Sequence, residues 1–369
     1  MARSINVEKT RTTGCFCNLL AFIKDISVAT SKYIGVPLLA HVILPTLVRL
    51  LRVLDLRVIV PQELLSPYLA MLHRFVLAEP DPQRVIEALR AGLIDLIASL
   101  IGHPLEVDAT KHVCYLLKFL ASTTVYYSVL AEIEGMSQGL NEILDENDPV
   151  ITQSPVFDAW RTFTESAAER QKMKQLFDSD EAPSSLVCDN TECSKVSEKS
   201  GFKRCAGCKY TSYCSRDCQK RDWKEGGHRE ECHKNRLAKS SLLVKRNRAF
   251  LLTLVHHDSE TRREEVLEKQ VEFEHGNPGT KFYTLFDYTE RSVPIAIVPL
   301  TEQEDTLEVV RMCKSQGSME LHAAFVARGG LKQAFLFPMR SSGADVPDGE
   351  TLVRIHTHKT IESIPLCFH

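Results

Sequence analysis

Between Cys188 and Cys232 the chain places seven of its twelve cysteines, and no other stretch constrains the fold as tightly. The spacing runs Cys188-x4-Cys193-x11-Cys205-x2-Cys208-x5-Cys214-x3-Cys218-x9-His228-x3-Cys232. The segment is poor in apolar residues. Phe202, Tyr210, Tyr213 and Trp223 are the only large ones among the ligand-type side chains, too few for a core. Something other than apolar burial must hold it. Eight thiolate or imidazole donors match two closed tetrahedral zinc sites of four ligands each. Short pairs such as Cys205/Cys208 and His228/Cys232 put two donors on one knuckle or helical turn, and the metal closes the longer loops. Closed sites leave no position for a reactive water, which argues against a catalytic zinc. Disulfides are the competing use of so many thiols. They belong to oxidising compartments, and the first thirteen residues are mostly polar with no apolar stretch and cleavage site after them. An intracellular, reducing setting in cytoplasm or nucleus is therefore expected, with a faint transit-peptide character in Arg3, Lys9 and Arg11. His233 is a rival to His228, but adjacent residues such as His233 and Cys232 seldom reach one metal.

The rest of the chain frames this block. Apolar residues recur at helical spacing through the first 180 residues, as in "VIEALRAGLIDLIASLIGHPLEVDATKHVCYLLKFLA", with turn signals at Pro61, 79–82, 102–104 and 146–149. That stretch resembles an armadillo or HEAT-type repeat, in which a helix ending near Ala-Gly leads into a second helix and then a longer one. The expectation for 1–180 is an armadillo/HEAT-like helical domain, with another helical bundle as the alternative. The run "IGVPLLAHVILPTLV" is 15 residues long, short of a membrane span, and reads as a buried helical segment broken by prolines. Residues 178–187 read as a linker. Helical patterning returns after the cysteine block, and from Lys281 short runs rich in aromatic and β-branched residues predict four or five strands. "EQEDTLEVVRMCKSQ" predicts a helix among them. The expected fold is thus multidomain: helices over 1–180, a two-zinc finger over 188–232, and a helix followed by a small α+β domain over 236–369.

The cysteine block closely resembles the MYND-type zinc finger. The family's first cysteine pair stands here as Cys188/Cys193, then come Cys205/Cys208, "YCSRDCQKRDW" and His228/Cys232. The first pair departs from the family's usual two-residue spacing by having four residues between its members. The resemblance implies interleaved sites, Cys188, Cys193, Cys214 and Cys218 holding one zinc and Cys205, Cys208, His228 and Cys232 the other; spacing alone leaves a sequential arrangement open. It also implies a protein–protein interaction module that takes extended proline-containing peptides of the PxLxP kind, with Gln219 and Trp223 at the peptide-contacting positions. Ala206 stands where the family commonly has serine, a departure that removes one hydrogen bond to such a peptide. Trp223 could instead simply pack the small module. The order of parts is similar to fungal-type MYND-finger proteins with a helical N-terminal region and no SET domain.

Two further function classes compete with this reading. MYND fingers also sit inside SET-domain lysine methyltransferases, but the upstream GxG turn, the NHxC-like and GEE-type segments and the trailing cysteine trio are not found in this sequence. No enzymatic activity is expected. Nucleic-acid binding is not expected on charge grounds. The chain is net −3, and residues 188–236 carry twelve Lys/Arg against eight Asp/Glu, which seven thiolates and two divalent ions bring to about +1. "KRNR" at 245–248 reads as a solvated helix face rather than a localisation signal, His256-His257 as a helix end, His356-x-His358 as strand-end histidines, and Cys114 and Cys313 as core residues.

Overall fold

A computed structural model describes residues 36–53, 62–78, 82–101, 105–134, 152–179, 185–237 apart from six positions (191–192, 194, 199–200 and 210), 245–301, 319–341, 352–354 and 359–365. The predicted helix at 302–316, the histidines at 356 and 358, and Cys15, Cys17, Cys313 and Cys367 lie outside the described residues.

Among the described residues seven helices precede the finger: α1 (Val36–Val53), α2 (Gln62–Val76), α3 (Gln83–Arg90), α4 (Leu93–Ile101), α5 (Val107–Thr123), α6 (Tyr127–Glu134) and α7 (Pro155–Asp178). Over the described part, 36–48, of the stretch expected to be broken by prolines, α1 runs unbroken. Pro37 falls in its first turn, where no intrahelical N–H is needed, and Pro45 is carried inside the helix. The "RAG" stop between α3 and α4 is built on Gly92, whose φ of +94° suits glycine. A Cβ there would lie 2.2 Å from the Arg52 guanidinium, which bonds the Ala91 carbonyl at 3.3 Å and pairs with Asp95 at 2.7 Å. α5 and α6 meet at 114°. At that corner Ser122, Thr123 and Thr124 donate to the carbonyls of Phe119, Leu120 and Ala121, so the buried hydroxyls are satisfied. Ser154 caps α7 by accepting from the Val156 amide, with Pro155 at the first helical position. No single helix among the described residues is long and apolar enough to cross a membrane.

After the finger come α10 (Lys245–Thr261) and α11 (Arg263–Gly276), then a six-stranded sheet of β5 (Phe282–Asp287), β6 (Ile295–Pro299), β7 (Met319–Arg328), β8 (Leu331–Ser341), β9 (Leu352–Arg354) and β10 (Lys359–Pro365). The order is β10-β8-β7-β5-β6, with β9 alongside the far end of β8. β5 and β7 are parallel; the other pairs are antiparallel. "ARGG" turns the β7–β8 hairpin, with Gly329 at φ +57°. β10 is a strand that sequence patterning did not pick out.

The two regions flanking the finger, expected as separate domains, bury side chains in one continuous cluster. Leu72, Phe75, Leu117, Leu130 and Phe163 from the first helices join Phe250 and Leu254 of α10 and Phe286, Val326, Phe335 and Phe337 of the sheet. The seam is also bonded. Tyr126 donates its hydroxyl to the Ala327 carbonyl at 2.6 Å, and the Gly330 amide reaches the Leu77 carbonyl at 3.1 Å. Arg170 lies over the Tyr288 ring, 4.8 Å from its centroid, while Tyr288 donates to Asp258 at 2.7 Å. A cleft of about 200 Å³ opens along this seam, between α5, α7 and the turn after β5, lined in part by Lys118, Ser166, Glu169 and Thr289. The opposite sheet face buries Tyr283, Leu285, Leu321, Ala323 and Leu336 in a smaller cluster.

The "KRNR" segment is a solvated face only in part, since Arg246 is exposed while the next two residues turn inward. Asn247 is buried and exchanges hydrogen bonds with Ser128, accepting from its amide at 2.8 Å; Arg248 is also buried. Arg246 pairs with Asp178 at 2.7 Å and covers the Tyr127 ring. His256 and His257 lie within α10, not at its end.

Candidate metal centre

Residues 185–237 form a module with almost no carbon core. β1 (Ser185–Val187) pairs with β2 (Val196–Glu198), and β3 (Lys203–Arg204) with β4 (Ser212–Tyr213). Two short helices follow, α8 (Arg216–Lys224) and α9 (His228–Leu237). The presumed linker 178–187 therefore starts as the last residue of α7 and ends as β1. The buried cluster of the module consists of Cys188, Cys205, Cys208, Cys232 and Tyr213.

The donors gather into two sets. Cys188, Cys193, Cys214 and Cys218 form one, and Cys205, Cys208, His228 and Cys232 the other, with all donor atoms of a set within 4.8 Å of one another. The sets interleave along the chain. The β1–β2 loop supplies Cys188 and Cys193 to the first cage, and Cys214 and Cys218 come from the entry to α8. The loop between β3 and β4 supplies Cys205 and Cys208 to the second cage, completed by His228 and Cys232 one turn apart on α9. The imidazole sends Nε2 toward the cage, 3.7 Å from the Cys208 sulfur.

The separations match a zinc tetrahedron. Cys193 to Cys214 and Cys214 to Cys218 are each 3.6 Å between sulfurs, and Cys205 to Cys232 is 3.9 Å. Zinc–sulfur bonds of about 2.3 Å give tetrahedral edges of about 3.8 Å. A disulfide needs about 2.05 Å, and these cysteines are free thiols. The donor chemistry points the same way. Burial first, and then the neighbouring sulfurs, pushes Cys188 far above the ordinary thiol range and Cys232 up to about 12. Burial acts upward on Cys218 too, but hydrogen bonds from Ser215, Asn190 and adjacent thiols prevail and draw it down to about 7. Burial disfavours a charged His228, yet the Cys208 and Cys205 sulfurs outweigh it and raise the ring to about 9. A cage of four such donors repels itself as anions, and a divalent cation removes that repulsion.

Several supports had no signal in ligand spacing. Asp189, buried in the long spacer of the first pair, clasps β4: its carboxylate accepts from the Ser212 amide at 2.5 Å, while its own amide donates to the Ser212 carbonyl at 2.9 Å. With the four-residue spacing of its first pair, the first set still gathers within 4.8 Å. Tyr213, fully buried, donates to Asp222 at 2.5 Å, tying β4 to α8. At Gly207 a Cβ would lie 2.8 Å from the Cys232 sulfur, so the knuckle needs glycine there. Lys209 completes the knuckle at φ +61°.

Gln219 and Trp223 lie four residues apart on α8 and so share a face. Trp223 is 39% exposed, and its ring stands edge-on to His228 with centroids 5.8 Å apart. It both packs on the second cage and faces outward. Ala206 is exposed on the neighbouring knuckle.

Two closed Cys/His cages in one small module define a zinc-binding finger. Its kind is given by comparison: residues 188–232 match the family model of the MYND finger. A curated relative, ubiquitin carboxyl-terminal hydrolase 19 of Arabidopsis thaliana, is 43% identical over 65 residues, 18% of this chain and 9% of that protein. The chain therefore spans less than a tenth of the length of this relative. No solved structure matches the chain.

Proposed function

We propose that this chain is a non-enzymatic intracellular recognition protein. Its MYND finger binds two zinc ions, one per cage, and presents Gln219 and Trp223 to an extended proline-containing peptide. The observation that carries this reading is the placement of Trp223: a large indole left 39% exposed on a module with almost no carbon core, backed by a cage histidine. A flat aromatic face suits proline rings, and a side-chain amide one turn earlier suits the backbone of an extended peptide. The zinc ions would hold the fold and supply no reaction chemistry, since each set offers four protein donors. The stretch shared with the ubiquitin hydrolase is the finger, so hydrolase activity does not follow from it. The SET-type methyltransferase and nucleic-acid readings gain no supporting observation.

The test is a Trp223→Ala substitution with zinc content measured alongside. The expected result is retention of about two zinc ions per chain with peptide affinity reduced at least about tenfold, in line with an aromatic hot spot. Unchanged binding to PxLxP-type peptides would sink the groove assignment.

A further inference from the structure

We propose that the first cage is an oxidant-sensitive modification site, attacked by hydroperoxides in preference to the second, and that its opening loosens α8. The proposal rests on the two-zinc reading above. It starts from an asymmetry between the cages. In the second, Cys205, Cys208, Cys232 and His228 are all buried, none more than 3% exposed. In the first only Cys188 is buried, while Cys193, Cys214 and Cys218 each present surface to solvent. Access governs which thiolates a small oxidant reaches. The exposed sulfurs are also neighbours, with Cys214 3.6 Å from both Cys193 and Cys218.

The chemistry balances with one hydroperoxide. A first-cage thiolate attacks a peroxide oxygen; the O–O bond breaks, an S–OH forms and hydroxide (or alkoxide) leaves. A neighbouring thiolate then attacks that sulfur, an S–S bond forms and a second hydroxide leaves. The two thiolates together give up two electrons, and the peroxide accepts both. The cage is left with two donors, too few to hold its zinc.

The consequence falls on α8, which is strung between the cages. Its first turn holds the ligand Cys218, with Ser215 accepting from the Cys218 amide at 3.1 Å as the helix cap. Its last turn holds Trp223, resting on His228 of the second cage. Opening the first cage frees the N-terminal anchor, and with it Gln219, while the second cage keeps its metal.

The experiment treats the full-length zinc-loaded protein with hydrogen peroxide, follows zinc release with a chromogenic chelator, maps oxidised cysteines by mass spectrometry and measures amide exchange. The expected course is biphasic. One zinc is released about tenfold or more faster than the other, as the difference in access dictates. Disulfides among Cys193, Cys214 and Cys218 accompany that phase. Exchange at 216–219 rises about tenfold or more while 228–232 stays protected, and thiol reductant with added zinc reverses all three. Release of both ions in one phase, earlier oxidation of Cys205, Cys208 or Cys232, or unchanged exchange at 216–219 would overturn the proposal while leaving the two-zinc reading intact. A purified protein with no zinc would overturn both.

Discussion

In the helix–sheet body the largest buried side chains are carbon: Phe75, Phe119, Tyr126, Phe163, Phe250, Phe335 and Phe337 meet across elements far apart in sequence. In the finger the buried cluster is sulfur and one tyrosine, ringed by buried polar side chains such as Asp189, Asp222 and His228. The body spreads its stability over many contacts of modest size, so it should weaken by degrees. The finger concentrates its stability in two donor sets, so it should fail cage by cage. Perturbations of one region should therefore leave the other standing, despite their covalent continuity.

The strongest way to break this comparison is to remove the metal. A high-affinity chelator should unfold the finger, at a loss of order 10 kcal/mol per structural ion. Hydrogen exchange should then show unprotected amides at 188–232 and an unchanged body. Joint loss of protection would mean that the body depends on the finger. A smaller blow falls on the other side. Phe250→Ala removes a fully buried ring that meets Tyr127 and Phe177 edge-on. Urea unfolding of the body should show a cost of about 3–5 kcal/mol, with zinc content unaltered; zinc lost in proportion would dissolve the distinction.

The smallest effect sharpens the comparison through pH. Burial, and then the nearby His112, hold His73 down at about 4, against an ordinary value of 6.5. The folded body thus binds fewer protons there than the unfolded chain. Its contribution is intact above pH 6.5 and is lost as pH falls from 6.5 through 4. After discounting for partial exposure, this amounts to at most about 3 kcal/mol. His73→Gln should flatten the acid slope of urea midpoints in chelated protein, where metal loss cannot contribute. An undiminished slope would assign it to other groups.

The legible parts of this molecule are those in which one residue type carries the geometry. Cysteine and histidine at fixed intervals pointed to the eight side chains that gather into the two sets, and short runs rich in aromatic and β-branched residues announced β5 to β8, because both signals are local. Three features escaped for physical reasons. The shared core escaped because periodicity shows that a face is apolar and not what covers it; Phe250 and Phe286 reveal no address. β10, "KTIESIP", escaped because its polar residues and proline mute the strand pattern. "KRNR" escaped in part because charged residues read as solvated: Arg246 is exposed as expected, whereas Asn247 turns inward to Ser128 and Arg248 is buried. Asp189 is similar: its value lies in a backbone amide more than twenty residues away.

Asp178 closes the last helix before the finger, Arg246 opens the first helix after it, and the two are clasped at 2.7 Å across a sequence separation of 68. The clasp brings the two ends of the finger-bearing segment together at one place on the body, and β1 of the finger also lies against β9 of the sheet. For protein engineering, that clasp is a cut-and-paste seam. The finger can be replaced by a few flexible residues, or another recognition module grafted in its place, with the loop-closure cost changing only as the logarithm of the insert's length.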